Sequence, residues 1–402
     1  MKSYDTVIVG GGIIGASLAF DLARRGQSVL VLDRQAPGHE ASWAAAGTIS
    51  PAPDRESIAI AALGLESYRL YPEFVAAIED ATGKSAGFRP NGAMELFLDA
   101  EGEAARDRRL DEIRSHGIAA EAISLAEAKR REPAVGPAAR AALWIRDEAH
   151  LDPRVITHVT LTAATQAGVE IRENTGVISV LSEDGRCSGV LAANERKNRA
   201  DQMEVRTGEK IAARNVVIAA GWRSGEIGGA ESYAPTIPVR GQMIALGVIP
   251  GAPRIILRCS LGYMAPREDG RTVVGSTLER GVSEKNTTDA GQQKILEAAL
   301  TMAPALAAAP ILERWAGVRP DSPDHLPIIG ATDIEGLFIA TGHYRNGMLL
   351  APVTAKYLAE WITTGKPSAW FEAFSPLRFA TTRNPSTAGD ARKMSVSKKG
   401  LS

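Results

Sequence analysis

The stretch Val7-Ile8-Val9-Gly10-Gly11-Gly12-Ile13-Ile14-Gly15-Ala16, continued by Ser28-Val29-Leu30-Val31-Leu32-Asp33, decides the fold. The three residues before the glycines read as a short buried strand and the glycines as a tight turn. Residues 13–25 then carry apolar side chains at helical spacing up to Gly26. A second apolar run, residues 28–32, ends at an acid about twenty positions after the glycines. This is a strand, turn, helix, strand unit with parallel strands. In Gly10-x-Gly12-x-x-Gly15, Gly10 permits the turn, Gly12 lets a pyrophosphate approach the backbone, and Gly15 lets the helix pack on the strand. Free amides at the helix start bind phosphates, and Asp33 would accept hydrogen bonds from ribose hydroxyls. Arg34 stands beside Asp33, but that acid would repel a 2′-phosphate, so an adenosine with a free 2′-hydroxyl is expected.

Working outward, residues 56–82 are helical in pattern, 92–98 alternate like a strand, and 100–116 form a charged surface helix. Ser124 and Glu127 make a capping box, and Asp152 caps a helix running to about residue 167. Residues 169–205 read as short strands with turns at 183–185 and near Asn194. Residues 216–219 are a buried strand. Four runs, 238–246, 254–259, 262–266 and 272–276, suggest an antiparallel sheet. A helix over 290–302, a strand over 337–340 and a helix over 346–362 follow. The two ends are thus α/β and the middle β-rich, which predicts a discontinuous α/β domain interrupted by a second one. No fixed-period repeat is visible.

The 402 residues suffice for two or three domains, and 45% hydrophobic with 23% charged residues is the balance of a globular chain. With 46 basic against 47 acidic residues, the net charge of −1 supplies no field to hold a nucleic-acid backbone. Cys187 and Cys259 are too few for a disulfide framework and fit a reducing compartment, so the cytoplasm is expected. The apolar run over 7–20 could pass for a secretory core, but Gly10, Gly11, Gly12 and Gly15 would break it, and no other run approaches a membrane span. Residues 379–402 lack apolar periodicity and carry five basic residues against Asp390, which reads as a basic, flexible tail. The six histidines show no metal-ligand spacing, so no metal is expected. Gly83-Lys84-Ser85 lacks the earlier glycine of a phosphate loop, and there is no GxSxG.

Three further segments need chemistry to explain them. Ala41-Ser42-Trp43-Ala44-Ala45-Ala46-Gly47 is small enough in side-chain volume to lie against a flat ligand. Trp315-Ala316-Gly317-Val318-Arg319-Pro320 and Thr341-Gly342-His343-Tyr344-Arg345-Asn346-Gly347 each place an arginine beside glycines. Either arginine could also be an ordinary surface charge.

Over residues 3 to about 378 the sequence resembles the D-amino-acid oxidase superfamily of FAD enzymes, and within it glycine oxidase of the thiamine-biosynthesis type. The matching elements are residues 7–15 and 42–47, Leu151-Asp152-Pro153-Arg154, Val217-Ile218-Ala219-Ala220-Gly221-Trp222, residues 315–320 and residues 342–352. The resemblance implies an α/β chain (α+β overall) with a Rossmann-like FAD-binding domain, discontinuous in sequence (1–84, 148–226 and 315–378). A substrate domain with an antiparallel sheet is inserted into it (85–147 and 227–314).

Carried over by position, the resemblance implies that Gly10, Gly12, Ile13, Ile14 and Gly15 hold the pyrophosphate, with Asp33 and Arg34 at the adenosine ribose. Ser42, Ala46, Gly47 and Thr48 would meet the middle of FAD, Val177 the adenine, and Gly221 and Trp222 would also line the cofactor. Arg345, Asn346, Gly347 and Met348 would begin a helix beneath the flavin pyrimidine, whose positive end favours charge developing on the ring. Arg319 would clamp the substrate carboxylate, Tyr263 would hydrogen-bond it, and Leu278 would line the substrate pocket. His343 is expected to be structural. Gly317 stands where covalent-flavin sarcosine oxidases carry a cysteine, so noncovalent FAD is implied.

The implied reaction is oxidative deamination of glycine, sarcosine or a small D-amino acid to the imine or 2-oxo acid, ammonia and hydrogen peroxide, by hydride transfer from Cα to flavin N5. It would feed thiamine thiazole synthesis. Two alternatives stay open: a D-amino-acid dehydrogenase passing electrons to a quinone, and a noncatalytic flavin-binding subunit. Whether the chain forms a homo-oligomer is not decided by its sequence.

Overall fold

A computed structural model describes residues 2–52, 58–197, 203–205 and 208–380. Its organising element is a parallel sheet in the spatial order Glu170–Arg172, Val29–Leu32, Ser3–Val9, Glu209–Ile218, Leu337–Thr341. The expected parallel pair is present, with Val7 opposite Leu30 and Val9 opposite Leu32. The strands come from both ends and the middle of the chain, so the α/β unit is discontinuous in sequence. Helices Ile13–Arg24, Ile58–Thr82, Pro153–Gln166 and Gly347–Thr364 bury their apolar faces in one core on this sheet. An antiparallel hairpin of Thr175–Glu183 and Arg186–Lys197 covers the other face, around Val180, Val190 and Ile211.

The second sheet runs Glu279–Arg280, Ile237–Leu246, Thr272–Gly275, Gly262–Pro266, Ile256–Cys259, Ala93–Phe97, Ala141–Ile145, Ala120–Ile123. It is antiparallel apart from one pair, Ile256–Cys259 with Ala93–Phe97, which is parallel. Helix Asp289–Met302 packs on it through Ile295, Ala299 and Met302.

Several expectations shift. The boundary expected at residue 315 falls inside strand Ile311–Asp321, which pairs along its length with Ile237–Leu246; this strand belongs to the second sheet. The turn expected near Asn194 is absent because the strand continues, with Asn194 opposite Thr175. The capping box is half formed: Ser124 accepts from the Glu127 amide, while the Glu127 carboxylate turns to Arg130 and Arg131. Residues 379 and 380, expected as the start of a flexible tail, are part of the packed chain. Leu377–Ala380 is helical, Phe379 packs against the second face of the parallel sheet, and Arg378 binds Asp324. The basic residues of the expected tail lie outside the described residues.

Candidate active site

Between the two sheets lies a cavity of about 1180 Å³, at the upper end of ligand-pocket sizes and large enough for a dinucleotide with a small substrate. One end is the glycine-rich turn. A Cβ on Gly10 would sit 2.4 Å from the Ala219 carbonyl, so the turn tolerates no side chain there. Gly10, Gly12, Ile13 and Ile14 line the cavity, whereas Gly15 is set back from it. A Cβ on Gly15 would meet the Gly10 carbonyl at 2.0 Å; its task is to let helix and turn touch. Gly12 caps the helix without any side-chain bond of its own. The Ser42 hydroxyl instead accepts from the Ile13 amide at 2.9 Å, tying residues 41–44 to the turn. Gly12, Ile13 and Ile14 bring the start of the helix to the cavity wall, the place where an anion is favoured.

Asp33 holds the same turn. Its carboxylate accepts from the Gly11 amide at 2.8 Å and the Gln35 amide at 3.0 Å. Burial pushes its carboxyl upward, and the two amides oppose that rise. Asp33 and exposed Arg34 both line the cavity at the outer end of the strand, where Val177, Gly221 and Trp222 also reach it. Val177 sits opposite Ala192 beside an irregularity in the hairpin register.

The middle of the cavity is floored by residues 41–48. Ser42, Ala46, Gly47 and Thr48 line it. Arg267, buried among them, donates to the carbonyls of Ala46 at 2.8 Å and Leu151 at 3.1 Å, and burial lowers its guanidinium to about 10. Trp315 donates its indole N–H to the Ala44 carbonyl at 3.1 Å. Arg154 stacks 3.6 Å over Trp43 and binds Glu313 through two bonds, of 2.9 and 3.0 Å. The sequence reading gave these two arginines no role. The Leu151-Asp152-Pro153-Arg154 motif pointed to one of them; Arg267 carries no local signal.

Beyond this floor, helix Gly347–Thr364 points its first turn into the cavity. Asn346 caps it without a side-chain bond, and Arg345, Asn346, Gly347 and Met348 line the wall. Ser67 and Tyr71 donate their hydroxyls to the carbonyls of Leu349 and Met348, fixing the turn. His343 is 3% exposed and bonded to Thr354. Burial pushes its imidazole down to about 3, which favours the neutral form, and it lines the cavity wall.

The second sheet closes the cavity. Side chains alternate along Ile311–Asp321, so Trp315, Gly317 and Arg319 share the face toward Ala44. A Cβ on Gly317 would lie 2.3 Å from the Ala44 Cβ. Arg319 leans over Gly241, where a Cβ would fall 2.1 Å from its guanidinium. The guanidinium donates to the Ser276 hydroxyl at 2.7 Å and the Thr277 carbonyl at 3.3 Å, and no carboxylate pairs with it among the described residues. Arg258, which also lines the cavity, is spent on Glu148 and Glu95. Tyr263 brings its hydroxyl within 3.1 Å of where a Gly275 Cβ would stand, one residue before Ser276. Tyr263 and Arg319 both line this end of the cavity. Leu278 lines the same end but is 57% exposed, at the mouth of the cavity rather than in its depth. Among the described residues no cluster of His, Cys, Asp and Glu could hold a metal, and no helix is long and apolar enough to cross a membrane.

The family model for FAD-dependent oxidoreductases of the DAO type matches residues 5–361. The chain belongs to the DAO family of FAD-dependent oxidoreductases. It is 34% identical over 372 residues to a glycine oxidase of Pseudomonas aeruginosa, covering 91% of this chain and 96% of the relative. It is also 34% identical over 382 residues to the bifunctional protein ThiO/ThiG of Trichormus variabilis. That match covers 93% of this chain and 55% of the relative, so the chain spans about half the length of the bifunctional protein. The solved glycine oxidase of Geobacillus kaustophilus superposes with a TM-score of 0.83 at 27% identity, covering 93% of this chain and 98% of that one. The side-chain-free turn, the two helix starts at the cavity wall and the volume between the sheets fit the FAD that a DAO-family chain uses.

Proposed function

We propose that this DAO-family enzyme oxidises a small amino acid, glycine, sarcosine or a small D-amino acid, with oxygen as the acceptor. The products are the imine or 2-oxo acid, ammonia and hydrogen peroxide. The observation that carries this reading is Arg319: a guanidinium with no carboxylate partner among the described residues, lining, with Tyr263, a cavity whose other end suits a dinucleotide. Likeness to glycine oxidases at 32–34% identity supports it. The likeness to ThiO/ThiG supports a place for the glycine imine in thiamine thiazole synthesis. In this reading the parallel sheet with its helices is the cofactor unit and the second sheet the substrate unit, divided after Asp321.

Bound FAD supplies the two-electron acceptor. The chain's own residues bind and aim. Arg319 holds the carboxylate with two parallel bonds, which fixes the direction of the Cα–H. Gly10, Gly12 and the first turn of Ile13–Arg24 take the pyrophosphate, and Asp33 the ribose. The start of Gly347–Thr364, which lines the cavity, would offer its positive end to the flavin pyrimidine. No strong protein base is needed once the amine is neutral. Gly317 leaves no room for an attaching side chain, and burial raises the thiol of Cys259 at the cavity wall; FAD is therefore held noncovalently.

Aerobic assay of peroxide and ammonia with glycine, sarcosine, D-alanine and D-proline tests the reading. Equal amounts of both products from glycine are expected. Turnover only with an added quinone would replace oxygen as acceptor, and no turnover with any of the four amines would overturn the amino-acid assignment.

A further inference from the structure

We infer that the Ser276 hydroxyl is a third group recognising the substrate carboxylate, beside Arg319 and Tyr263; this rests on the reading of Arg319 given above. The geometry starts from one row of the second sheet. Tyr263 and Met243 both stand opposite Gly275, from the strands on either side. Ser276 follows directly and turns its side chain into the cavity. Arg319 reaches the same point from strand Ile311–Asp321, leaning over side-chain-free Gly241. Three donor side chains, Tyr263, Ser276 and Arg319, therefore come to one end of the cavity.

A hydroxyl has one proton to give besides the lone pairs with which it accepts. Ser276 Oγ accepts from Arg319 Nη2 at 2.7 Å, and its own proton has no acceptor among the described residues. Accepting a bond from a cation polarises the hydroxyl and strengthens what it donates. Tyr263 is in a similar position: among the described residues its hydroxyl bonds only to the Met243 sulfur at 3.8 Å, a weak acceptor. Arg319 uses two of its N–H groups on Ser276 and Thr277, which leaves further N–H groups of the fork for a ligand. An ionised carboxylate presents about four lone-pair sites. Two guanidinium N–H groups, the phenol and the serine hydroxyl match that number.

The support behind Ser276 keeps this geometry rigid. Thr277 gives its hydroxyl to Glu279 at 2.7 Å and accepts the Gln242 amide at 3.0 Å. Glu279 is in turn bound by Arg240 and by the Gln242 side chain. Burial alone would raise the Glu279 carboxyl, but the bonds from Arg240, Thr277 and Gln242 outweigh it and hold the group at about 2. The 276–279 loop is thus fixed at its outer end by a charge that does not titrate near neutrality. The consequence is a preference for α-amino carboxylates over simple amines that goes beyond what Arg319 alone provides.

The test uses the holoenzyme. Acetate, a carboxylate without an amine, is titrated while flavin absorbance is followed, and glycine kinetics are measured alongside, for the wild type, Ser276→Ala, Ser276→Thr and Arg319→Ala. Losing a hydrogen bond to a charged group should raise the acetate Kd and the glycine KM of Ser276→Ala by roughly tenfold or more. Its kcat should change by less than about threefold and its FAD content should stay normal. Ser276→Thr, which keeps the hydroxyl, should bind acetate within about threefold of the wild type. Acetate binding by Ser276→Ala at wild-type strength, with binding lost in Arg319→Ala, overturns the role of Ser276 and leaves that of Arg319 standing. Equal losses in Ser276→Ala and Ser276→Thr also overturn it, because the hydroxyl would then not be what matters. Normal acetate binding by Arg319→Ala overturns the underlying reading of the clamp itself.

Discussion

Arg319 and Gly241 act as a pair, and each can be tested alone. Arg319→Ala removes a charge-assisted bidentate contact, so kcat/KM for glycine should fall by about a hundredfold or more. Arg319→Lys should recover little, because a point charge does not reproduce the fork. FAD content, read from the absorbance ratio of purified protein, should be unchanged in both; loss of FAD would make Arg319 a cofactor residue. Gly241→Ala puts a methyl 2.1 Å from the guanidinium. The arginine must swing away, so KM for glycine should rise with FAD still bound. At this scale the sequence showed which arginines lie in motifs, and not which one lacks a partner. Arg154 and Glu313 are 159 positions apart, and Arg258 and Glu148 are 110 apart. Pairings at such separations are made by the fold, and only they reveal that Arg319 is left over. For the same reason Ser276 was missed: nothing local marks a serine whose partner arrives from a distant strand.

Two elements hold the cofactor floor, and each gives a measurable consequence. Residues 41–47 are pinned by Trp315 through one indole bond to the Ala44 carbonyl. Trp315→Phe keeps an aromatic side chain and removes the bond, worth about 1 kcal/mol, so the Kd of FAD should rise about fivefold or more by fluorescence titration of apoprotein. The start of Gly347–Thr364 carries His343, whose imidazole burial has lowered from 6.5 to about 3. His150, lowered to about 4 by burial and by Arg267 and Arg89, behaves alike. Below about pH 6.5 the unfolded chain takes up these protons and the folded chain does not, so stability should fall as pH drops from about 6.5 toward 4. Urea unfolding across that range should show a shallower decline in His343→Gln; an unchanged slope would mean the imidazole is charged in the native state. The elements at both ends were legible in the sequence, because glycines and helical periodicity punctuate them. Strands Ala120–Ile123 and Ala141–Ile145 were not. Apolar runs of four or five residues do not separate strand from helix by period alone.

At the scale of the whole molecule, the C-terminal side of the described chain closes the back of the parallel sheet. Phe379 packs there and Arg378 ties Asp324 and the Leu326 carbonyl. A chain ending at Pro376 should therefore melt several degrees lower than one ending at Ala380, as losses of about 1–2 kcal/mol do in a domain of this kind; equal melting temperatures would show that these contacts add nothing. That boundary escaped the sequence reading because charge and low periodicity on one side masked a single half-buried aromatic on the other. The discontinuous architecture was legible, since strands that begin and end the chain share one composition and the middle another. In the proposed reading it sets Arg319 of one sheet, as carboxylate clamp, against the glycine turn of the other, as dinucleotide cradle. The most direct test of that arrangement is anaerobic mixing of the yellow holoenzyme with glycine while the flavin absorbance is recorded. The account predicts bleaching of the oxidised flavin band at a rate that saturates with glycine, and restoration of the band when oxygen is admitted. A band that stays unchanged with glycine, sarcosine, D-alanine and D-proline would contradict it.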